Sequence, residues 1–85
     1  MYYVYILISE KDQRTYVGYT QDLQERFKCH NSGRVMATKN RRPLVLLYRE
    51  EFETMIEAKR RELWWKSSTG RKKLKGLFEG KMMDK

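Results

Sequence analysis

The sequence has little of what holds many other small proteins together or anchors them to membranes. Its single cysteine, Cys29, excludes an intramolecular disulfide and a zinc site built from several cysteines. Pro43 is the only proline, and no repeat or low-complexity tract divides the 85 residues, so we predict one domain over residues 1–85. No run reaches the roughly 20 apolar residues that span a bilayer, and the first residues lack a signal-peptide pattern. These absences predict a soluble, cytoplasmic domain without a membrane partner.

Acidic residues are also in the minority. Eleven Asp and Glu stand against nineteen Lys and Arg, so the formal net charge is +8. Such an excess attracts polyanions and favours nucleic acid, because counterions are released on binding whatever the base sequence. Solubility alone is the simpler explanation of the charge. An anionic membrane surface is disfavoured, because no helix pattern joins a wide apolar face to a purely basic one.

The first 20 residues have the composition of a β-hairpin. Tyr2–Ser9 and Thr15–Tyr19 are rich in tyrosine, valine and isoleucine, and a polar stretch separates them. Side chains alternate between the two faces of a strand, so Tyr5 and Tyr16 share a face if the connecting loop has an even number of residues. A four-residue loop, Lys11–Arg14, satisfies this condition.

A helix is predicted after the hairpin, from residue 21 or 22 to about residue 31. Asp22 opens a capping-box pattern, apolar residues one turn apart follow it, and a serine–glycine pair ends it. Arg26 and His30 are also one turn apart and border the apolar stripe, so both side chains should flank the surface that faces the sheet. A polar, basic loop over residues 33–42 then leads to an apolar run, Leu44–Phe52, which predicts a third strand.

A full T-x-x-E capping box, residues 54–57, predicts a second helix that ends near Lys66. On a helical wheel one apolar stripe is formed by Met55, Ala58 and Trp65. Glu62 lies inside the arc of that stripe, away from the basic side of the helix. An unpaired carboxylate is expensive to bury, so Glu62 should be neutralised, paired with a cation or bound to a metal ion.

The C-terminal segment carries its own break and helix signals. The S-S-T-G run at residues 67–70 is predicted to interrupt the chain before a short basic helix over residues 71–78. The inward side of that helix should carry Leu74, Leu77 and Phe78. Residues 79–85 are predicted to form a frayed tail.

Taken one at a time, the polar residues of these elements have structural explanations. Tyr5 and Tyr16 resemble core tyrosines that hydrogen-bond through one end. His30 resembles a cap or packing residue, and Glu62 has a surface partner one turn away in Lys66. Taken together, two phenols, an arginine, a histidine and one inward carboxylate match the requirements of phosphodiester hydrolysis.

Each of these residue types has a separate role in such a reaction. A carboxylate holds Mg²⁺ through oxygen, and the ion polarises the phosphate and lowers the pKa of bound water. Arginine donates paired hydrogen bonds to phosphate oxygens. Tyrosine or histidine orients and deprotonates the attacking water, provided that nearby cations lower a phenol pKa from its ordinary value near ~10. The basic surroundings favour such a shift.

The order of these residues resembles the GIY-YIG nuclease superfamily, above all its small stand-alone bacterial members. The likeness runs from Tyr2 to about Leu74 and comprises V-Y-I at residues 4–6, Y-V-G at 16–18, D-L-x-x-R-x-x-x-H at 22–30, A-T-K-N-R-R-P-L at 37–44 and E-A-K-R-R-E at 57–62. The resemblance implies an α+β fold, with a three-stranded antiparallel sheet flanked by about three helices. The chain departs from some members at Tyr19, where they carry lysine, and after Glu62, where it lacks their asparagine.

The resemblance also implies a role for each matching residue. It makes Tyr5 and Tyr16 the paired phenols of the active site, with Tyr16 as the base or water-orienting group. It places Arg26 on the scissile phosphate with His30 assisting, and the metal ligand, for Mg²⁺ or Mn²⁺, is Glu62. Gly18 is then expected to leave room for a phosphate next to Tyr16 and Arg26.

The leading hypothesis is therefore a divalent-metal-dependent endonuclease that cuts nucleic acid, with DNA of particular structure as the expected substrate. The alternative is a binding module that keeps the fold without turnover. A third hypothesis is a basic face that docks an acidic protein. For the first two, the residues expected to contact nucleic acid are Gly18, Lys39, Arg41, Arg42, Arg71, Lys72 and Lys73.

Overall fold

Strands and helices follow one another along the chain in the order that the sequence patterns predict. The computed structural model describes residues 1–83, with side chains through residue 77. Its elements are β1 (Tyr2–Ser9), β2 (Thr15–Thr20), α1 (Leu23–Asn31), β3 (Leu44–Phe52), α2 (Met55–Lys66) and α3 (Ser68–Met83). No helix within the described part has an apolar stretch long enough to cross a membrane.

The sheet is three-stranded and antiparallel, with strand order β2-β1-β3. This confirms the predicted α+β class. In the hairpin Tyr5 lies opposite Gly18 and Leu7 lies opposite Tyr16, so Tyr5 and Tyr16 share a face as predicted. The predicted loop position was wrong by one residue, because the Ser9 N–H donates to the Arg14 carbonyl at 2.8 Å and the loop is residues 10–13.

The hydroxyl of Ser9 explains the earlier start of this turn. It is fully buried and accepts hydrogen bonds from the N–H groups of Lys11, at 3.1 Å, and Asp12, at 3.2 Å. The same hydroxyl donates to the carbonyl of Arg41 at 2.6 Å. A serine at a strand end therefore fixes the hairpin against the long loop that follows α1.

The two faces of the sheet carry separate apolar clusters. Val4 and Ile6 of β1 face the pair α2 and α3, where Trp65 is fully buried. Tyr5 and Leu7, the alternate residues of β1, face the other way, towards α1. We call these the α2/α3 face and the α1 face. The period-two alternation of a strand thus assigns neighbouring residues of β1 to different surroundings.

Both predicted capping boxes are present. The Asp22 side chain accepts the N–H of Glu25 at the start of α1, and the Thr54 side chain accepts the N–H of Glu57 at the start of α2. Within the predicted apolar stripe of α2, Ala58 and Trp65 are buried, but Met55 is 47% exposed. Met55 is the first residue of the helix, and the buried residues of α2 lie further along it.

The predicted break at residues 67–70 was wrong, because α3 begins at Ser68. Ser67 ends α2 and also caps α3, since its side chain accepts the N–H of Gly70 at 3.2 Å. A Cβ placed on Gly70 would lie 2.0 Å from the Trp64 carbonyl oxygen, so glycine permits the close contact between the two helices. Leu74 is buried and Leu77 partly buried, as predicted, whereas the side chain of Phe78 lies outside the described part. The helix backbone continues to Met83, and the rest of the predicted 79–85 tail is outside the described residues.

Candidate active site

A chain of hydrogen bonds runs across the α1 face and has the Tyr5 hydroxyl near its centre. Arg26 Nε lies 3.4 Å from Tyr5 Oη, and Tyr5 Oη lies 2.9 Å from His30 Nε2. His30 Nδ1 lies 2.8 Å from Thr38 Oγ1. Tyr5, His30 and Thr38 are almost completely buried, whereas Arg26 is half-buried. These hydrogen bonds therefore connect the buried side chains of Tyr5, His30 and Thr38 to the half-buried guanidinium of Arg26.

The direction of these hydrogen bonds follows from the donors present. Arg26 can only donate, so the Tyr5 oxygen accepts from it and the Tyr5 hydroxyl donates to His30 Nε2. The Nδ1–H of His30 then donates to Thr38 Oγ1, which requires a neutral imidazole. Burial, together with the positive charge of Arg26, lowers the pKa of His30 to about 4. His30 is therefore neutral at physiological pH and acts here as a proton acceptor for Tyr5.

Tyr5 is a stable proton donor in this arrangement. Burial is the main reason why its pKa is raised above the ordinary value of 10.0, and the negative charges that Tyr16 and Glu62 can carry add to the rise. The hydrogen bond from Arg26 lowers the pKa by a smaller amount. For Tyr5 the expected downward shift of the phenol pKa was therefore wrong, because burial outweighs the effect of Arg26.

Tyr16 occupies a more open position beside the same histidine. Its ring centroid lies 4.9 Å from that of His30 and 6.4 Å from that of Tyr5. Tyr16 is half-buried, and among the described residues no group hydrogen-bonds to its hydroxyl. Of the two phenols, Tyr16 is thus the one with a hydroxyl available to a ligand.

Gly18 serves the site in a different way from the one predicted. A Cβ at this position would lie 2.5 Å from Tyr5 Oη and 3.2 Å from Tyr16 Cε1. The space above the glycine is therefore filled by the ring of Tyr5, its cross-strand partner, and not left open for a phosphate. Glycine is required because a phenol has to lie flat over the neighbouring strand and reach His30.

Glu62 is the inward carboxylate of α2 that the helical wheel predicts. Only 15% of its side chain is exposed, and Oε2 lies 3.5 Å from Nζ of Lys66, one turn along the helix. Its negative charge contributes to the raised pKa of Tyr5, so the carboxylate lies within electrostatic reach of the phenol. A single long ion pair leaves most of its oxygen lone pairs available.

Comparison with known proteins identifies the family of this chain. The sequence matches the family model described as the GIY-YIG catalytic domain over residues 1–75. The chain belongs to the GIY-YIG family. It is 42% identical over 80 residues to the UPF0213 protein SSP2268 of Staphylococcus saprophyticus, which covers 93% of this chain and 96% of that one. It is 41% identical over 70 residues to the UPF0213 protein YazA of Bacillus subtilis, covering 81% of this chain and 71% of that one.

A solved structure has the same fold. The solution NMR structure of the UPF0213 protein BH0048 from Bacillus halodurans is 37% identical, with a TM-score of 0.55, and the match covers 91% of this chain and 85% of that one. The predicted family and fold are both confirmed. The GIY-YIG fold is a nuclease-type fold, whereas the names of these relatives state no activity.

One carboxylate of the candidate site, Glu62, could hold a divalent metal ion. Within the part of the chain that the structure describes, no three His, Cys, Asp or Glu side chains come together as a metal cage. Mg²⁺ does not need such a cage, because it keeps several waters and binds through one or two carboxylates together with substrate phosphates. Glu62, mostly buried and weakly paired, fits that mode of binding.

The basic residues predicted to bind nucleic acid are dispersed over this GIY-YIG domain. Arg71 lies in a groove beside Tyr16, whereas Lys39 and Arg42 line a separate pocket next to Pro43. Arg41 is bound internally, since its Nε lies 3.2 Å from the Asp12 carboxylate and its Nη2 donates to the Thr15 carbonyl at 3.4 Å. The two remaining members of the predicted set, both exposed on α3, are Lys72 and Lys73.

The sequence patterns also missed two members of the arrangement. Thr38 completes the hydrogen-bond chain from a loop with no helix or strand period, so nothing in its spacing relates it to His30. Arg14, at the end of the hairpin loop, joins the groove beside Tyr16. The sequence shows only that Arg14 directly precedes a predicted strand. The groove forms because the three-dimensional fold brings α3 against the edge of that strand.

Proposed function

We propose that this chain is a divalent-metal-dependent endonuclease that hydrolyses phosphodiester bonds, with DNA of particular structure, such as branched or single-stranded DNA, as its substrate. The observation that carries the proposal is the arrangement around the Tyr5 hydroxyl. A guanidinium donates to it, a neutral histidine accepts from it, and the charge of Glu62 acts on it. β1 and α1 thereby join at the Tyr5 hydroxyl, the half-buried phenol of β2 lies beside His30, and Glu62 of α2 lies within electrostatic reach of Tyr5.

Arg26 is the residue suited to bind the scissile phosphate. Among the described residues, its side chain hydrogen-bonds only to Tyr5, through Nε. The two terminal nitrogens are left to donate as a pair to phosphate oxygens, which is the strong geometry for guanidinium and phosphate. Tyr5, itself bound to His30, holds Arg26 by its inner nitrogen and leaves the outer pair available.

Tyr16 and Glu62 complete the proposed reaction. The available hydroxyl of Tyr16 would orient the attacking water, while the neutral His30 ring packs beside the ring of Tyr16. Glu62 would hold Mg²⁺ or Mn²⁺, and the bound ion would stabilise charge on the phosphate and on the departing oxygen. His30 itself stays a hydrogen-bond acceptor for Tyr5, which leaves Tyr16 as the residue that handles the water.

Cleavage assays with a matched control test the proposal. Supercoiled, single-stranded and branched DNA, and RNA of the same forms, are incubated with Mg²⁺, Mn²⁺ or EDTA. We expect metal-dependent nicking that falls by at least about 100-fold in Glu62→Ala, as for the loss of a major electrostatic stabiliser. Tyr16→Phe and Arg26→Ala should each fall by about 10- to 100-fold. Glu51→Ala, an exposed carboxylate of β3, should cut like the wild type.

Wild-type cleavage by Glu62→Ala would refute this mechanism. The second candidate, a nucleic-acid-binding module without turnover, is favoured by one observation, the Lys66 ammonium beside Glu62, the proposed metal ligand. It predicts binding that depends on salt but not on metal, with no cleavage at any metal concentration.

A further inference from the structure

A basic groove follows the open edge of β2 and extends beyond the residues assigned to the candidate active site. β2 is an outer strand of the sheet, and the groove lies between that strand and the two C-terminal helices. Its volume is about 660 Å³, within the range of ligand-binding clefts. The groove is lined by residues that include Arg14, Tyr16, Lys66, Arg71, Leu74 and Lys75.

The charges in the groove have one sign. Arg14 comes from the hairpin, Lys66 from the end of α2, and Arg71 and Lys75 from α3, whereas none of the lining residues is acidic. Four cations from three elements line the groove, and of these Lys66 has Glu62 as an ion-pair partner at 3.5 Å. Because like charges repel, such a cluster favours a polyanion as its ligand. The overall basic composition of the chain does not explain this cluster of cations, because Lys72 and Lys73, next to Arg71 in sequence, do not line the groove.

The face that α3 presents to the groove is fixed by packing. Arg71 and Lys75 lie one turn apart, about 6 Å along the helix axis, and therefore on the same face. Leu74, between them, is buried in the core against β1 and α2. Gly70 holds the start of α3 tightly against the Trp64 carbonyl, so the helix cannot shift away without losing this contact. Packing of α3 in the core therefore fixes the positions of Arg71 and Lys75 beside the groove.

The groove leads to the candidate active site. Tyr16, the phenol with the available hydroxyl, forms part of its wall. Lys66, another wall residue, lies 3.5 Å from Glu62. A chain of phosphates lying in the groove would therefore come directly to the residues proposed to cut it.

We propose that this groove binds the phosphate backbone of a nucleic acid strand and guides it past the open edge of β2 to Tyr16 and Glu62. The inference rests on the proposed function, since it assigns to that site the path of its substrate. It divides the basic residues of α3 into two classes: Arg71 contacts the strand, whereas Lys72 and Lys73 do not. An acidic protein is the competing ligand, and the test separates the two.

The test compares Arg71→Glu with Lys72→Glu. Both replace a cation of α3 by the same acid, so they change the net charge equally and differ in the face that they alter. Binding of a fluorescently labelled single-stranded oligonucleotide is measured by anisotropy in EDTA, where no cleavage interferes, over a series of salt concentrations. We expect Arg71→Glu to weaken binding at least about 10-fold and to reduce the slope of log K against log salt by about 1 or more, with less than about 3-fold weakening in Lys72→Glu.

A second pair of variants repeats the comparison on other elements. Arg14→Glu, in the hairpin, should weaken binding like Arg71→Glu, whereas Arg60→Glu, on the exposed side of α2, should resemble Lys72→Glu. All four positions are exposed, and equal melting temperatures will show that the fold is kept. Equal weakening by groove and control variants would overturn the proposal, because charge alone would then explain binding. Displacement of the oligonucleotide by polyglutamate at equal charge concentration would overturn the assignment to nucleic acid.

The groove and the nuclease can fail separately. If metal-dependent cleavage is found but Arg71→Glu leaves both the Kd and the salt slope unchanged, the groove proposal is wrong and the proposed function stands. If Arg71→Glu weakens binding selectively but no metal supports cleavage, the groove is confirmed and the chain is a binding module. Binding measured in EDTA therefore tests the groove proposal independently of whether the protein cleaves nucleic acid.

Discussion

Charged side chains on the two faces of the sheet differ in the number of their hydrogen-bond partners. On the α2/α3 face, Glu50 accepts from Nε of Arg61 at 2.9 Å, from Nη2 at 3.0 Å, and from Nε1 of Trp65 at 3.0 Å. On the α1 face, Arg26 has a single hydrogen bond of 3.4 Å to Tyr5. A charge with a complete set of protein partners holds elements together, whereas a charge with few partners is left to bind a ligand.

The same contrast distinguishes the two half-buried carboxylates near α2. The side chains of Glu50 and Glu62 are 16% and 15% exposed, so burial does not separate them. Although burial acts to raise the pKa of Glu50, the hydrogen bonds from Arg61 and Trp65 hold it below its ordinary value. Glu62 has one ion pair of 3.5 Å. The carboxylate that is suited to a metal ion is therefore distinguished by the number and strength of its ion pairs and hydrogen bonds, and not by how deeply it is buried.

The largest effect expected from this comparison is an acid instability of the α1 face. His30 has a pKa of about 4 in the folded chain and 6.5 as the reference value. Between these two values the unfolded chain takes up a proton that the folded chain does not, so stability is complete above about pH 7 and falls as the pH approaches 4. The loss should reach about 3 kcal/mol, as expected for a shift of this size. Urea unfolding at a series of pH values measures it.

A His30→Gln variant serves as the control for this prediction. His30 is the only histidine of the chain, so the variant removes all histidine titration while the carboxylates remain. The difference between the two pH profiles then isolates His30. Parallel profiles between pH 7 and pH 4.5 would show that the α1 face does not hold a neutral, buried imidazole.

The next effect concerns the well-paired charge of the other face. Glu50→Gln removes the negative partner of Arg61 and should lower the free energy of unfolding by about 2 kcal/mol, less than for a fully buried pair because Arg61 is partly exposed. Glu51→Gln, the exposed neighbour on the α1 face of β3, should change it by less than about 0.5 kcal/mol. Chemical denaturation measures both. If Glu50→Gln reduced cleavage per folded molecule as strongly as Glu62→Ala does, the division between structural and functional charges would be wrong.

Sequence patterns predicted the parts of the fold that depend on local chemistry. The capping side chains of Asp22 and Thr54 act within four residues of themselves, and the alternation in β1 placed Tyr5 and Tyr16 on one face. The start of α3 was missed because S-S-T-G has poor helix propensity, whereas in the structure the Ser67 cap and the contact of Gly70 with α2 support the helical state. Tertiary packing overrode local preference there.

The site was predicted in part for the same reason. Arg26 and His30 were recognisable because one helix spaces them by a turn, but the bond from His30 to Thr38 crosses a loop that has no period. Burial of Tyr5 is likewise a tertiary property, so the direction of its pKa shift could not be taken from the surrounding basic composition. The groove required α3 and the hairpin to be placed side by side, which no pattern within either segment encodes.

The smallest effect tests whether Gly18 belongs to the α1 face in the way described. In Gly18→Ala the new methyl would lie 2.5 Å from Tyr5 Oη, and the phenol would have to move away from His30. Overpacking of this kind costs about 1–3 kcal/mol, and the better strand propensity of alanine returns about 0.5–1 kcal/mol, so we expect a net loss of about 1 kcal/mol. Gly76→Ala, in α3, has nothing within 4 Å of the added methyl and should instead stabilise the chain by up to about 1 kcal/mol. Thermal unfolding of the two variants compares them directly. A stabilising Gly18→Ala would mean that the space above this glycine is open, as a phosphate pocket requires, and that the ring of Tyr5 does not fill it.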